Sequence, residues 1–280
     1  MEWFCEPFAL AFQQRALLGG VLVAVMTSVV GTWLVLRGMV FFGDALGHGV
    51  IPGIAVAVVF DLNPLVGAAI AAAVMVFAID LINRRTILGQ DTSIGLLFVG
   101  MLALGVVIIS RLNSYAGSLT RILFGDALGV TTSDLAGQAI LTLVVVAVAL
   151  ALYRPLLSLS YNAEKAELWN MKPRRAHAAL LVLIAVAVVG SFQSVGTLLV
   201  FGLLIGPPAT ASLVARTVPR MMLYSVIIGL FSVWLGLTLS YHLRTAGSAT
   251  MALVPIVLFF LVLMFTRLVH RRLPQEVSHA

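Results

Sequence analysis

The sequence predicts an all-α fold, a polytopic bundle of about eight or nine transmembrane helices, and three observations carry that prediction. Hydrophobic residues make up 61% of the chain and charged residues only 10%, where a soluble domain would be about a quarter charged. Mean hydropathy is +1.10. Apolar stretches follow one another almost without pause at 16–36, 39–60, 64–82, 92–110, 135–153, 176–192, 195–215, 221–240 and 250–269, most of them enough for a helix to cross ~30 Å of hydrocarbon. Residues 1–280 therefore read as a single transmembrane domain with no room for a second, soluble one.

The first stretch reads as a spanning helix rather than a cleaved leader. Glu2 and Glu6 stand where a leader would be basic, and no small-x-small cleavage site follows a short core. Cys5 is the one cysteine, which excludes a disulfide or a thiolate cluster within the chain; it reads as a small apolar residue near the membrane surface.

The second stretch contains the most unusual segment, GDALGHGVIPG at 43–53. Asp44 and His48 stand at i and i+4, on one helix face and one turn apart. A carboxylate oxygen and an imidazole nitrogen so placed can both reach one divalent cation, and that donor pair suits Zn²⁺ or Mn²⁺ better than soft ions. The alternative is an Asp–His hydrogen bond tying two helices together. Ionisable groups inside a membrane are costly and mark substrate pathways by default, which favours the functional reading. Two ligands are fewer than the four of a structural zinc site, as expected where an ion must also leave. His242, in SYHLRTAGSATM, is a further, weaker ligand at the outer entrance.

Prolines mark expected helix breaks at Pro52, Pro207 and Pro208. Each lacks an N–H, so the carbonyl four residues earlier loses its partner: that of His48, Leu203 and Leu204 respectively. Unwound carbonyls at mid-membrane are a common way to build ion sites. Around the proline pair a packing role is equally plain, because Gly202 and Gly206 form a small-xxx-small face; Pro255 reads as a simple bend.

Residues 113–134 carry Arg121, Asp126 and three glycines, a poor span that reads as a surface or re-entrant helix. The segment 158–175 is the longest polar connection. Asn162 is a good N-cap, Glu164 lies in the first turn and Pro173 ends the helix, while Ala166, Leu168 and Trp169 give it an apolar side. That side fits a groove on a partner, or lipid headgroups with Trp169 as anchor.

If Arg37, Arg84, Arg85, the 154–175 segment, Arg216, Arg220 and the Arg267, Arg271 and Arg272 tail share one side, that side holds 13 of the 17 Lys+Arg. The positive-inside rule makes it cytoplasmic, with the C-terminus inside and the side of the N-terminus set by an even or odd helix count. Net charge +6 needs no nucleic acid as partner, because the cations flank membrane ends where anionic lipid attracts them.

Four stretches together, FFGDALGHGVIPGIAVA (41–57), ILFGDALGVTTSDL (122–135), VGTLLVFGLLIGPPATASLVA (195–215) and LSYHLRTAGSA (239–249), resemble the membrane subunit of the zinc/manganese/chelated-iron ABC importers, in order and over nearly the whole chain. The resemblance implies a homodimeric permease of the bacterial cytoplasmic (inner) membrane. It implies cytoplasmic ATP-binding subunits docked on the 158–175 coupling segment and an extracytoplasmic metal-binding solute receptor. Asp44 and His48 match the family's acid-and-histidine motif and so belong to the metal path. Arg244, Thr245 and Ala246 stand where the family carries an acid and a proline, and Asn162-Ala163-Glu164 stands where it has Asp-Pro-Glu.

The residues independently require a partner for ATP-driven work. The chain has two lysines, Lys165 and Lys172, and no G-x-x-x-x-G-K-[ST] loop, so no catalytic or cofactor-binding residue is expected and ATP belongs on another subunit. An importer of zinc first and manganese second is the leading expectation. A gradient-driven secondary transporter acting without an ATPase is the alternative. An intramembrane zinc protease is remote, since H-E-x-x-H does not occur. Imidazole ligates only when neutral, so uptake should fall as pH drops.

Overall fold

The computed structural model describes residues 6–87, 89–110, 131–161 and 173–272. After a single 3-10 turn, these residues form α1 (Ala11–Leu36), α2 (Val40–Gly49), α3 (Ile51–Val59), α4 (Pro64–Arg85), α5 (Gln90–Ile109), α6 (Thr132–Ala151), α7 (Tyr153–Tyr161), α8 (Pro173–Val195), α9 (Thr197–Ser212), α10 (Val218–Leu243) and α11 (Gly247–Arg272). Eight units are long and apolar enough to span a membrane, α2 and α3 counting as one, and α9 is a shorter ninth. The coupling-segment residues Asn162, Glu164, Ala166, Leu168 and Trp169 lie outside the described residues, as does most of 113–134. The end of that second stretch belongs to a spanning helix: Thr131 caps α6 in a reciprocal box with Asp134. Pro173 is the first residue of α8, where its missing N–H costs nothing.

Helix α1 is the hub. In its most apolar window 72% of the residues are buried, against 17% for α5 and 22% for α11, which are left open along most of their length. It packs on α6, α8, α9 and α10, and its side chains suit that place. Ser28 Oγ donates to the Ser225 carbonyl of α10 at 3.1 Å, and Thr142 of α6 reaches the Leu22 carbonyl at 3.3 Å. Within hydrocarbon, small residues and hydroxyls hold helices together because apolar side chains gain nothing over lipid.

The chain leaves α1 through a Schellman turn. Gly38 adopts φ +66°, its N–H donates to Val35 and that of Met39 to Leu34. Met39 and Leu34 are both buried, closing the turn on its apolar side.

Pro52 and the Pro207–Pro208 pair behave differently. The helix is interrupted at Val50, two residues before Pro52, which separates α2 from α3. Neither Pro207 nor Pro208 breaks α9, which runs through both; the expectation of a break there is corrected. The physical reason is the surroundings. A methyl built on Gly31 of α1 would collide with the Leu204 carbonyl oxygen and lie 3.0 Å from Pro208 Cγ. The freed carbonyl is thus covered by the Gly31 backbone, a weak Cα–H···O contact replacing the lost hydrogen bond. Gly202 and Gly206 press on Ala252 and Pro255 of α11, so the small-residue face does pack helices. Pro255 likewise lies inside an unbroken helix.

Sidedness follows from contacts between helix ends. Arg37 Nη1 donates to the Leu159 carbonyl at 2.8 Å, and Gln90 Nε2 lies 3.4 Å from His177 Nε2. The end of α1, the end of α7 and the starts of α5 and α8 therefore share one side, the basic one. The nine crossings among the described residues then place the beginning of α1 opposite the end of α11, and the positive-inside rule makes the latter cytoplasmic.

Candidate metal path

Asp44 stands in the middle of α2 and His48 in its last turn, and the reason they face outward is steric. Gly43 and Gly47 lie on the buried side, where a methyl on Gly47 would strike the ring of Phe201 from α9 and one on Gly43 would lie 2.9 Å from Leu204 Cδ2. Phe42, Ala45 and Leu46 are fully buried on that side. The opposite stripe, Phe41, Asp44 and His48, is left open at i, i+3 and i+7.

His48 Nε2 lies 3.7 Å from Asp44 Oδ1, with the two side chains 35% and 43% exposed. That distance is too long for a hydrogen bond between them. The pair is therefore not a structural tie between helices, and both groups keep free lone pairs for a third party. Phe98 of α5 meets the imidazole edge-on at 6.0 Å and Phe201 stacks on it at 6.5 Å, so two aromatic rings fix its plane. From Val40, the helical rise carries His48 about 12 Å into the membrane, close to the middle of a ~30 Å core. By the same rise Asp44 lies about 6 Å in, and a carboxylate open within the membrane has to meet water or protein rather than lipid.

Among the described residues no group of three or more His, Cys, Asp or Glu side chains is placed to hold a metal. His242 therefore does not join the pair. It sits one residue from the end of α10, on the side away from the basic helix ends, with its ring edge-on to Tyr241 at 5.2 Å. Arg244 adopts the left-handed conformation at φ +54° and ends that helix, with the Thr245 N–H returning to the Ser240 carbonyl.

With no N–H to give, Pro52 leaves the carbonyl of His48 itself without its i+4 helical donor. Val50 and Ile54 still close their own helical bonds, at 3.1 Å each, so the interruption is confined to one residue. The flanking phenylalanines, and the Gly43 and Gly47 that admit Phe201, were not singled out from the sequence; small residues alternating with the acid and the histidine were the available signal.

Comparison with known proteins places the chain. The model of the "ABC 3 transport family" matches residues 9–266. The chain is 34% identical over 254 residues to the "Manganese transport system membrane protein MntC" of Listeria innocua, covering 91% of this chain and 90% of that one. It is 27% identical over 263 residues to the "Chelated iron transport system membrane protein YfeD" of Yersinia pestis, covering 94% and 88%. In structure it is similar to "PsaBC from Streptococcus pneumoniae in complex with Fab", with a TM-score of 0.81, 30% identity, and 93% and 94% of the two chains covered. Nine apolar helices among the described residues, an open acid-and-histidine pair within one of them and these relatives lead to one family: the chain belongs to the ABC 3 transport family, as a multi-pass membrane permease of a metal ABC importer in the bacterial inner membrane.

Proposed function

We propose that the cargo is manganese, taken from an extracytoplasmic receptor and passed between two copies of this chain past Asp44 and His48. The observation that carries this reading is the open pair itself, two ligating groups within the membrane that do not bond each other. The relatives reported above are named for manganese and chelated iron, so manganese moves ahead of zinc. The oxygen-and-nitrogen donor set accepts either ion, and affinity alone does not set selectivity.

One chain supplies two ligands. A second copy facing the same stripe would add its own Asp44 and His48, turn an exposed carboxylate toward protein, and leave remaining positions to water. Such a site binds loosely enough for the ion to move on. The chain lacks a phosphate loop, so ATP is held by cytoplasmic partner subunits, which we place on the segment containing Asn162, Glu164, Ala166, Leu168 and Trp169. The receptor docks on the outer face, where His242 lies near the entrance. Pro52 lets α2 shift relative to α3 as the partners close.

The test is uptake by vesicles containing the chain, its ATPase and its receptor, with and without ATP, offering manganese and zinc in competition. ATP-dependent accumulation of manganese over zinc is expected. Preferential zinc uptake would reverse the choice of cargo, and uptake that follows a proton gradient without ATP would move the secondary-transporter reading to the front.

A further inference from the structure

The cytoplasmic ends of the helices hold a chain of polar contacts that the metal path does not use. Arg37 reaches across to α7 and gives its Nη1 hydrogen to the Leu159 carbonyl at 2.8 Å, three residues before position 162. On the far side of the 162–172 segment, His177 lies one turn into α8. Its Nε2 is 3.4 Å from Gln90 Nε2, the second residue-long reach in the set. The Gln90 amide also lies 3.4 Å from Met39 Sδ. An amide nitrogen carries two hydrogens, so one can go to the thioether and one to the imidazole, which then accepts at Nε2.

These contacts close a loop. Leu159 is tied to Arg37; Arg37, Gly38 and Met39 form the Schellman turn; Met39 is tied through Gln90 to His177. The last turn of α7 and the first turn of α8 are thus both fastened to one three-residue turn. That turn is closed by two backbone hydrogen bonds and the buried Met39 and Leu34, so it yields little within itself. It leads without any intervening loop into α2, where Asp44 follows Met39 by five residues and His48 by nine. A displacement of the last turn of α7 or the first turn of α8 therefore has a short polar route to the start of the helix that carries the pair.

We propose that Arg37 and Gln90 are positioning residues that transmit movement of the end of α7 and the start of α8 to α2, so that ATP hydrolysis by the partner subunits is converted into movement of Asp44 and His48. This rests on the transport reading above. The contacts are not needed for α2 to be a helix, since its own backbone bonds and the buried Phe42, Ala45 and Leu46 hold it. They link elements distant in sequence: 122 residues separate Arg37 from Leu159, and 87 separate Gln90 from His177.

The experiment measures ATP hydrolysed per manganese ion taken up, in proteoliposomes holding the complete complex of permease, ATPase and receptor. Arg37→Met keeps the apolar stem and removes every donor, and should raise that ratio at least about fivefold, the low end of typical coupling free energies. Arg37→Lys, which keeps a donor for the Leu159 carbonyl, should restore it to within about twofold of wild type. Gln90→Leu severs the other arm and should raise the ratio about threefold, decided separately so that failure of Arg37→Met to assemble leaves the test standing. Because the ratio is taken per ion moved, a variant that merely lowers the amount of folded protein does not change it. A wild-type ratio in every variant that assembles would overturn the linkage. A wild-type complex that accumulates no manganese with ATP would instead overturn the transport reading, and this inference with it.

Discussion

Helix α9 and the α2–α3 pair carry the same chemical defect and resolve it in opposite ways. In each, proline removes a backbone donor from an apolar helix in the middle of the bundle. In α9 the Leu204 carbonyl left behind is pressed against Gly31 of the most buried helix, and the helix continues through Pro207 and Pro208. In α2–α3 the helix is interrupted at Val50, and the residues one turn below include an acid and a histidine open to their surroundings. The difference teaches that proline alone does not specify a functional break. What covers the freed carbonyl decides whether the defect is buried as packing or left available to a ligand.

The comparison is broken most directly at the pair itself. His48→Ala and Asp44→Ala should each lower manganese uptake at least about tenfold at low metal, by analogy with the loss seen when even the groups supporting metal ligands are changed. Thermal stability should change by no more than about 0.5 kcal/mol, because both side chains are partly exposed and not bonded to each other. Uptake at wild-type rate in His48→Ala would remove α2 from the metal path.

The structural member of the comparison is tested at Gly31. Gly31→Ala should destabilise the protein by about 3 kcal/mol, since its new methyl meets backbone rather than a flexible side chain. The fraction recovered folded in detergent checks this. Normal yield and melting behaviour would show that α1 and α9 do not meet as closely as described.

Smaller effects sharpen the contrast between the prolines. Pro52→Ala restores a donor to the His48 carbonyl and should slow uptake roughly fivefold with stability kept, as expected for a position that absorbs movement. Pro208→Ala should leave uptake within about twofold and stability within about 1 kcal/mol, because the Leu204 carbonyl is already covered. Equal effects from both would erase the distinction.

Much of this was legible in the sequence because lipid leaves few options. A backbone that must satisfy itself in hydrocarbon becomes helix, so apolar length alone located the nine units seen among the described residues. The i, i+4 spacing located the pair for the same reason: one turn of helix fixes the geometry. Sequence could not separate Pro52 from Pro207–Pro208, since the deciding residue, Gly31, lies some 170 positions away in the chain and only the fold brings it near. The links from Arg37 to Leu159 and from Gln90 to His177 escaped notice likewise. Each partner looks ordinary in its own neighbourhood, and the Gly38 that shapes the turn between α1 and α2 was a readable stop signal that drew no attention beside the motif following it.

The interlock of α3 with α4 bears on how far the ligands can travel. Methyls on Gly53 and Gly67 would each strike the other's carbonyl oxygen, so these two helices touch backbone to backbone and turn as one piece. The inner half, α2, packs mainly on α5 and less on α8, α9 and α4, while α3 also meets α5, so Val50 is a joint between two halves that share neighbours. Asp44 lies six residues from that joint, an arm of about 9 Å, so a turn of about ten degrees carries its carboxylate only about 1.5 Å. A stroke that short is less than the length of a metal–oxygen bond, yet enough to convert a ligand at bonding distance into one that has let go. A transporter geared this way would pass its ion by loosening single bonds in sequence, without having to open a wide channel.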